Sequence, residues 1–377
     1  MEFVSFEQAV EIWDTLRKPV NAKERQSRIE GKDIGELYPY YGATGQVGYI
    51  DGYISDGEYV LLGEDGAPFL QPTATKAYLI HGKAWVNNHA HVLRSKYNNA
   101  FLCYYLNSFD YQGLVSGTTR LKLTQAAMKQ IPIPAPPLSE QKHIVSRIEE
   151  LFSQLDASVA ELKTAKERLR VYRQAVLKEA FEKVKVHIPF GKIIDARLGK
   201  MLDKEKNTGN YRKYLRNINV RWFSFDLSDL LEMRIEDDEI EKYSVSHNDL
   251  IICEGGEPGR CAVWDKQDSI FYQKALHRVR FLDNSNPRFY MYYLWFSAQS
   301  GQLCRYFTGT GIKHLTGQSL SRVIVPTADR TIQDSIVAEI ESHLSVCDSI
   351  QKTVDTALQQ TEALRQSILK KAFEGGL

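Results

Sequence analysis

Two stretches of this chain set hydroxyl and basic side chains in the same glycine-led frame, GTTRLKLT from Gly117 and GTGIKHLT from Gly309. Thr118, Thr119, Arg120 and Lys122 fill the first, and Thr308, Thr310, Lys313 and His314 fill the second. Hydroxyls and cations on a polar loop suit two tasks on a nucleic acid, holding phosphates and hydrogen-bonding base edges. In the second half of the chain Arg260, after Glu257-Pro258-Gly259, and Lys274 and Arg278 in YQKALHRVR are further candidates; in the first half they are Tyr41, Thr44, Lys76 and Asn87. Two basic clusters extend the set. Arg17 to Lys32 holds six Lys/Arg against two Glu and contributes Lys23, Arg25 and Arg28. Arg197 to Arg216 holds seven Lys/Arg against Asp203 and Glu205 and contributes Arg197, Lys200, Arg212 and Arg216. Asp226 to Glu241 follows with eight acids and one Arg, so the formal net charge of +1 conceals a strong local contrast. Local patches, not the total, steer a polyanion.

Catalytic signatures are missing. The sequence has no GxxxxGK[ST], no GxGxxG after a strand, and no Asn/Asp-Pro-Pro-aromatic run of an amino-methyltransferase. GEDGAP (Gly63–Pro68) and CEGGEP (Cys253–Pro258) are too short and acidic to cradle phosphate and read as tight turns between strands. His89 and His91, two apart on a strand, face opposite sides and do not share a metal ion. The acidic run Glu236–Glu241 reads as a solvated face. The five cysteines have no CxxC spacing and read as reduced, mostly buried thiols. The chain therefore reads as a binding protein with no catalytic, cofactor or metal residues of its own. No apolar run approaches ~18 residues, and MEFVSFEQAVEIW lacks a basic leader before an apolar core, which points to the cytoplasm and to no membrane partner.

The loops must be positioned by something, and the sequence supplies it twice. Ile131 to Glu182 recurs without a gap 192 positions later, pairing Gln141 with Gln333, Asp156 with Asp348, Arg173 with Arg365 and Phe181 with Phe373. Each copy reads as a long helix. Pro136 and Pro137 exclude an earlier start, with Ser139 as the expected N-cap; Thr331 is the expected cap of the second copy. Gly375 and Gly376 end it. Apolar residues recur at alternating three- and four-residue steps, from Ile144 through Leu169 and Tyr172 to Ala180 and from Ile336 through Ile350 and Leu364 to Ala372. That spacing is a coiled-coil seam, and about 44 residues make a rod of roughly 65 Å. Two matched rods bury their seams on each other.

The remainder repeats more loosely: GEDGAP aligns with CEGGEP, AFLCYYL with RFYMYYL, and GTTRLKLT with GTGIKHLT. The organisation expected is a mixed α/β (α+β) module at 1–138, a long helix at 139–183, a second module at 184–330 and a second helix at 331–377. In the first module the pattern predicts a helix over Phe6–Leu16 and an aromatic helix over Asn98–Asn107. Strands are predicted at Tyr38–Tyr41, Val47–Ile50, Tyr59–Leu62, Ala77–Ile80 and Ala84–Val86, with seven glycines from Gly42 to Gly66 as turn positions.

PIPAPPLSEQKHIV running into IEELFSQLD, the endings RQAVLKEAFEK and LRQSILKKAFEGG, and YYGATGQVGYID, GEYVLLGEDGA and NDLIICEGGEPGRCAVW together resemble the specificity subunit of Type I restriction–modification systems. The resemblance covers essentially the whole chain, including its repeat. It implies a non-catalytic subunit whose two globular modules are target-recognition domains, each reading one half of a split, asymmetric sequence in double-stranded DNA. The antiparallel helices would rule off the unread spacer and carry two methyltransferase subunits. Two ATP-dependent translocase/nuclease subunits would join for restriction. S-adenosylmethionine, ATP and Mg would belong to those partners. A rigid rod suits that task, since duplex DNA turns once in about 10–10.5 base pairs and a fixed length sets both distance and phase.

Other readings predict different behaviour. A stand-alone sequence-specific DNA-binding regulator would bind without a methyltransferase and leave its helix surfaces solvated. A coiled-coil adaptor would show no salt-dependent affinity for duplex DNA. A nuclease or methyltransferase with a degenerate site would act without partners.

Overall fold

A computed structural model describes residues 1–203, 205 and 207–376. The chain forms two compact units, residues 1–164 with 354–377 and residues 165–353. The first long helix spans Leu138–Glu182 and the second Arg330–Glu374, so each unit holds part of both.

The first unit is built on a six-stranded sheet in the order Val10–Ile12, Ala90–Ser95, Ser55–Gly63, Ala77–Val86, Tyr38–Gly42, Gly45–Ile50. Neighbours run antiparallel except Tyr38–Gly42 beside Ala77–Val86, where Tyr40 faces Trp85 and Tyr41 faces Val86 in parallel. Val60, Leu62, Ala77 and Leu93 turn one face towards the helix Asn99–Ser108, and with Leu102, Tyr105 and Leu106 they form its main core. Asn98 caps that helix, its side chain accepting from Phe101 N at 2.9 Å.

Several expectations are corrected here. The helix over Phe6–Leu16 is only Phe6–Ala9; Val10–Ile12 is a strand and Asp14–Leu16 a 3₁₀ turn. Val10 and Ile12 are β-branched and gain a sheet partner in Ala90–Ser95, which overrides the helical spacing. Ala77–Ile80 and Ala84–Val86 are one strand crossing Gly82 at φ 68°, and Ala90–Ser95 was not foreseen. Gly48 and Gly57 lie inside strands rather than at turns, whereas Gly42 and Gly45 flank the two-residue turn at 43–44 as expected and Gly63 ends its strand. Gly63 is there for space: a Cβ on it would come 2.9 Å from Ala43 O and 2.4 Å from the Ala67 methyl.

The second unit places most of its strands in two four-stranded sheets, with His187–Pro189 and Ile324–Pro326 paired apart from them. One runs Ile194–Leu198, Leu276–Phe281, Leu250–Cys253, Cys261–Val263, all antiparallel. The other runs Leu231–Ile235, Asn210–Leu215, Ile270–Tyr272, Ser244–Val245 and keeps a parallel pair, with Tyr214 opposite Phe271 and Leu215 opposite Tyr272. The helix Pro287–Gln299 starts with Asn286 as cap and Pro287 in its first turn, where a missing N–H costs nothing.

Within each unit the long helices pack antiparallel. In the second, Lys183 Nζ reaches Glu339 Oε1 at 2.6 Å and Tyr172 Oη lies 3.0 Å from His343 Nδ1. The helix ends dock on the aromatic helices in matching ways. Phe181 sits 5.3 Å from Phe289 and 5.2 Å from Tyr293 between ring centroids; in the first unit Phe373 sits 5.2 Å from Phe101 and 5.3 Å from Tyr105. Phe181, 4% exposed, contributes roughly 1.5–3 kcal/mol of apolar burial, and the half-buried Phe373 contributes less. The predicted seam departs in detail, since Tyr172, Ile350 and Leu364 are exposed while Thr361 is buried. Both helices begin earlier than expected. Pro137 O accepts from Glu140 N and Gln141 N, and Asp329 O from Ile332 N and Gln333 N, so Ser139 and Thr331 lie within first turns rather than capping them. Gly375, at φ 84°, ends the second helix as predicted, with Gly376 N on Lys371 O at 2.9 Å.

Candidate nucleic-acid interface

The glycine-led loops are framed by main chain. In the first unit Ser116 and Lys122 exchange backbone hydrogen bonds of 3.0 and 2.8 Å, Leu123 N donates to Glu64 O at 2.8 Å, and Gly66 N donates to Leu121 O at 2.8 Å. In the second unit Thr308 and His314 exchange bonds of 2.8 and 2.9 Å, and Leu315 N donates to Glu254 O at 2.8 Å. CEGGEP joins the paired strands Leu250–Cys253 and Cys261–Val263 as expected, and GEDGAP opens the longer connection from Ser55–Gly63 to its neighbour Ala77–Val86. Both also form the shelves on which the loops rest. A buried histidine braces each loop from below. His91 Nε2 lies 3.2 Å from Leu123 O, and His277 Nε2 lies 2.8 Å from Leu315 O. Both rings are 1% exposed.

Charge surrounds the first loop. Arg120 Nε donates to Asp65 Oδ1 at 2.8 Å, Lys122 Nζ lies 3.5 Å from Glu64 Oε1, and Arg17 bridges Glu64 and Asp14. His91 Nδ1 is 2.8 Å from Asp14 Oδ2. Burial pushes the Asp14 carboxyl up, but the His91 hydrogen bond and charge, the Val92 N–H and Arg17 outweigh it and hold it below the usual range. Under the second loop, burial pushes the His277 imidazole down against the opposing pull of Leu315 O and Glu254.

The candidate residues fall into three groups. Lys23, Thr44, Thr118, Thr119, Arg120, Lys122, Arg197, Lys274, Thr310 and Lys313 are exposed, as is Thr308. Arg25, Arg28, Tyr41, Arg212, Arg216, Arg260 and His314 are half-buried, and most are committed within the fold. Arg25 lies over the Tyr40 ring at 5.0 Å and Arg28 over Trp85 at 4.7 Å, and Arg28 Nε also binds Asp51 at 2.6 Å. Arg216 holds Asp229, Arg260 holds Glu257 and the Asn217 carbonyl, and Arg212 lies over Phe271. Burial raises the Tyr41 hydroxyl pKa.

Lys76, Asn87, Lys200 and Arg278 are buried, at 2%, 8%, 5% and 3% exposure, and are withdrawn as contact residues. Lys76 Nζ donates to Pro72 O, and Asn87 Oδ1 accepts from His89 N. Lys200 is held between Glu236 and Glu239, so that part of the acidic run is not simply a solvated face. Arg278 donates to the carbonyls of Glu241, Lys242 and Ser244. These cations complete buried polar networks rather than meeting a polyanion. Lys204 and Lys206 of the second basic cluster lie outside the described residues.

Sequence reasoning missed the supporting acids, the bracing histidines and Ile312, an exposed apolar side chain at the second loop tip. The recurrence of AHVL and LHRV beside the two shelf motifs was the available signal for the histidines. Among the described residues no group of three or more His, Cys, Asp or Glu is placed to hold a metal, and no helix is long and apolar enough to cross a membrane.

A duplicated module with two equivalent loop frames and paired long helices defines a bivalent recognition scaffold. The family model of the Type I restriction modification DNA specificity domain matches residues 19–167 and 190–360, and the chain belongs to that family. It is a DNA specificity subunit. It is 28% identical over 96% of its length, and 92% of the relative's, to a putative type I restriction enzyme specificity subunit of Haemophilus influenzae. It is 25% identical to the EcoBI specificity subunit of Escherichia coli, covering 95% of this chain and 81% of that one. A chain solved in work on complex assembly and conformational transition of the type I R-M system shares the fold at TM-score 0.74 and 16% identity, over 100% of this chain and 98% of that chain.

Proposed function

We propose that the modules at 1–138 and 184–330 each read one half of a split sequence in double-stranded DNA. The helix pair fixes the unread spacer and docks two methyltransferase subunits, which supply adenine methylation. Two ATP-dependent restriction subunits join the same assembly in the cytoplasm. This chain contributes recognition and geometry and no catalysis of its own; S-adenosylmethionine, ATP and Mg act on the partners. The observation that carries the reading is the recurrence of one loop frame, held by the same backbone bonds, once per unit with a different tip. Two readers with one scaffold and two sets of side chains suit an asymmetric target. Exposed cations around the tips supply phosphate attraction, and the tips supply the sequence.

The test is a methylome. The chain is co-expressed with its methyltransferase in a host free of such systems, and modified adenines are mapped by long-read sequencing. A single split motif marked on opposite strands of its two halves is expected. An assembled complex that leaves adenines unmodified, or marks a continuous motif, overturns the reading.

A further inference from the structure

The two loop frames superpose in their bonding but not in their tips. Gly117 and Gly309 take φ 97° and 93°, and a Cβ on either would come 2.4 or 2.3 Å from the carbonyl oxygen of the fourth loop residue. Those fourth residues are Arg120 and Ile312, 192 positions apart. The Arg120 side chain is 59% exposed, and Ile312 is 73% exposed. We propose that this fourth position reads one base pair in each half-site, Arg120 a guanine and Ile312 the methyl group of a thymine. The inference rests on the bipartite reading above and assigns two of its specificity determinants.

Arg120 is oriented, not merely charged. Its Nε donates to Asp65 Oδ1 at 2.8 Å and its Nη2 lies 3.5 Å from His89 Nδ1, which fixes the guanidinium plane and leaves Nη1 and the second N–H of Nη2 for a further pair of acceptors. A neighbouring carboxylate offsets the charge and weakens attraction to phosphate, whereas the neutral guanine edge, whose N7 and O6 accept a planar fork in the major groove, depends on the orientation of the donors. Gly66 allows the side chain to lie across the shelf, since a Cβ there would sit 3.1 Å from Arg120 Nε.

The second unit changes both partners together. Where the first shelf has Asp65, the aligned position is Gly255, and a Cβ on it would press His314 Nδ1 at 3.1 Å. The acid accompanies the arginine and is missing where the tip is isoleucine. An exposed β-branched apolar side chain has no use for a phosphate. Contact with the thymine C5 methyl group is the base-edge interaction open to it.

The experiment uses the full-length chain assembled with its methyltransferase subunits and the split motif found for the wild type. Binding is measured by competition against duplexes in which each recognised base pair is replaced in turn. Arg120→Ala is expected to lower discrimination at one G·C pair of one half-site by on the order of tenfold and to leave the other positions unchanged. Arg120→Lys, which keeps the charge and loses the fork, should do the same, and Asp65→Asn should weaken discrimination at that pair alone. Ile312→Ala should relax one T·A pair in the other half-site. Replacing that thymine with deoxyuridine should weaken the wild type several-fold and leave Ile312→Ala unaffected. Uniform weakening across all duplexes, rescue by Arg120→Lys, or an unchanged profile overturns the proposal. A wild-type complex with no split motif overturns the bipartite reading beneath it, and the wild-type measurement alone shows this.

Discussion

Arg173 Nη2 binds Asp348 Oδ1 at 2.8 Å, and in the first unit the repeat-related residues make the same pair with Arg365 on Asp156. The two bridges hold the helices in one antiparallel register within each unit. Asp348 is 75% exposed, so Arg173→Ala should cost less than about 1 kcal/mol. Arg173→Asp sets two carboxylates face to face and should lower the melting temperature further. Adding Asp348→Arg should restore most of the loss; no recovery in the double variant would mean the pair does not set register.

The buried glutamines at the helix starts should differ in worth. Gln333 accepts from Asn286 N at 2.7 Å and donates to Ala328 O at 2.9 Å, tying the helix to the cap of Pro287–Gln299. Gln141 donates to Pro136 O. Gln333→Ala leaves buried groups unpaired at both ends and should cost several kcal/mol, at about 1–3 kcal/mol for each. Gln141→Ala should cost less in denaturant unfolding, and equal losses would contradict the assignment.

Stability should fall on acidification through His277. Its folded-state pKa lies below the ordinary 6.5, because burial outweighs Leu315 O and Glu254. The unfolded chain therefore binds a proton that the folded chain refuses. The stabilisation is full above pH 6.5 and is lost as pH falls through the window beneath it. Chemical unfolding from pH 8 to pH 5 should show this slope, and His277→Gln, which keeps a donor for Leu315, should flatten it.

The spacer role predicts a length effect. Removing seven residues from each long helix, near Lys163 and Asp355, preserves the heptad phase. The methylated motif should keep both half-sites and lose base pairs from the unread interval. A fixed interval, or altered half-sites, would refute the ruler.

The duplicated plan and the long helices were legible because helical periodicity and an ungapped repeat are local signals. Phe181 and Phe373 lay at matching places before their aromatic partners were known. The loop frames were legible for the same reason. Their chemistry was less so, because burial is a tertiary property. Lys76 and Lys200 are as basic on paper as Lys23, and only the fold shows that Pro72 O and the pair Glu236 and Glu239 already hold them. The shelf acids were read as turn residues because Glu64 and Asp65 meet Arg17, Arg120 and Lys122 only after distant segments come together.

The shelf under each loop grips through carbonyl and amide groups of Glu64, Gly66 and Glu254, which every side chain at the tip leaves in place. On the assignment proposed for the loop tips, a mutation at Arg120 or Ile312 changes which DNA is recognised while the scaffold keeps its shape. Methylation and cutting read through one shared subunit would change together with it. Under the proposed function, a lineage exchanges its recognition word in few steps, and the host genome would be re-marked by the same change that redirects the attack.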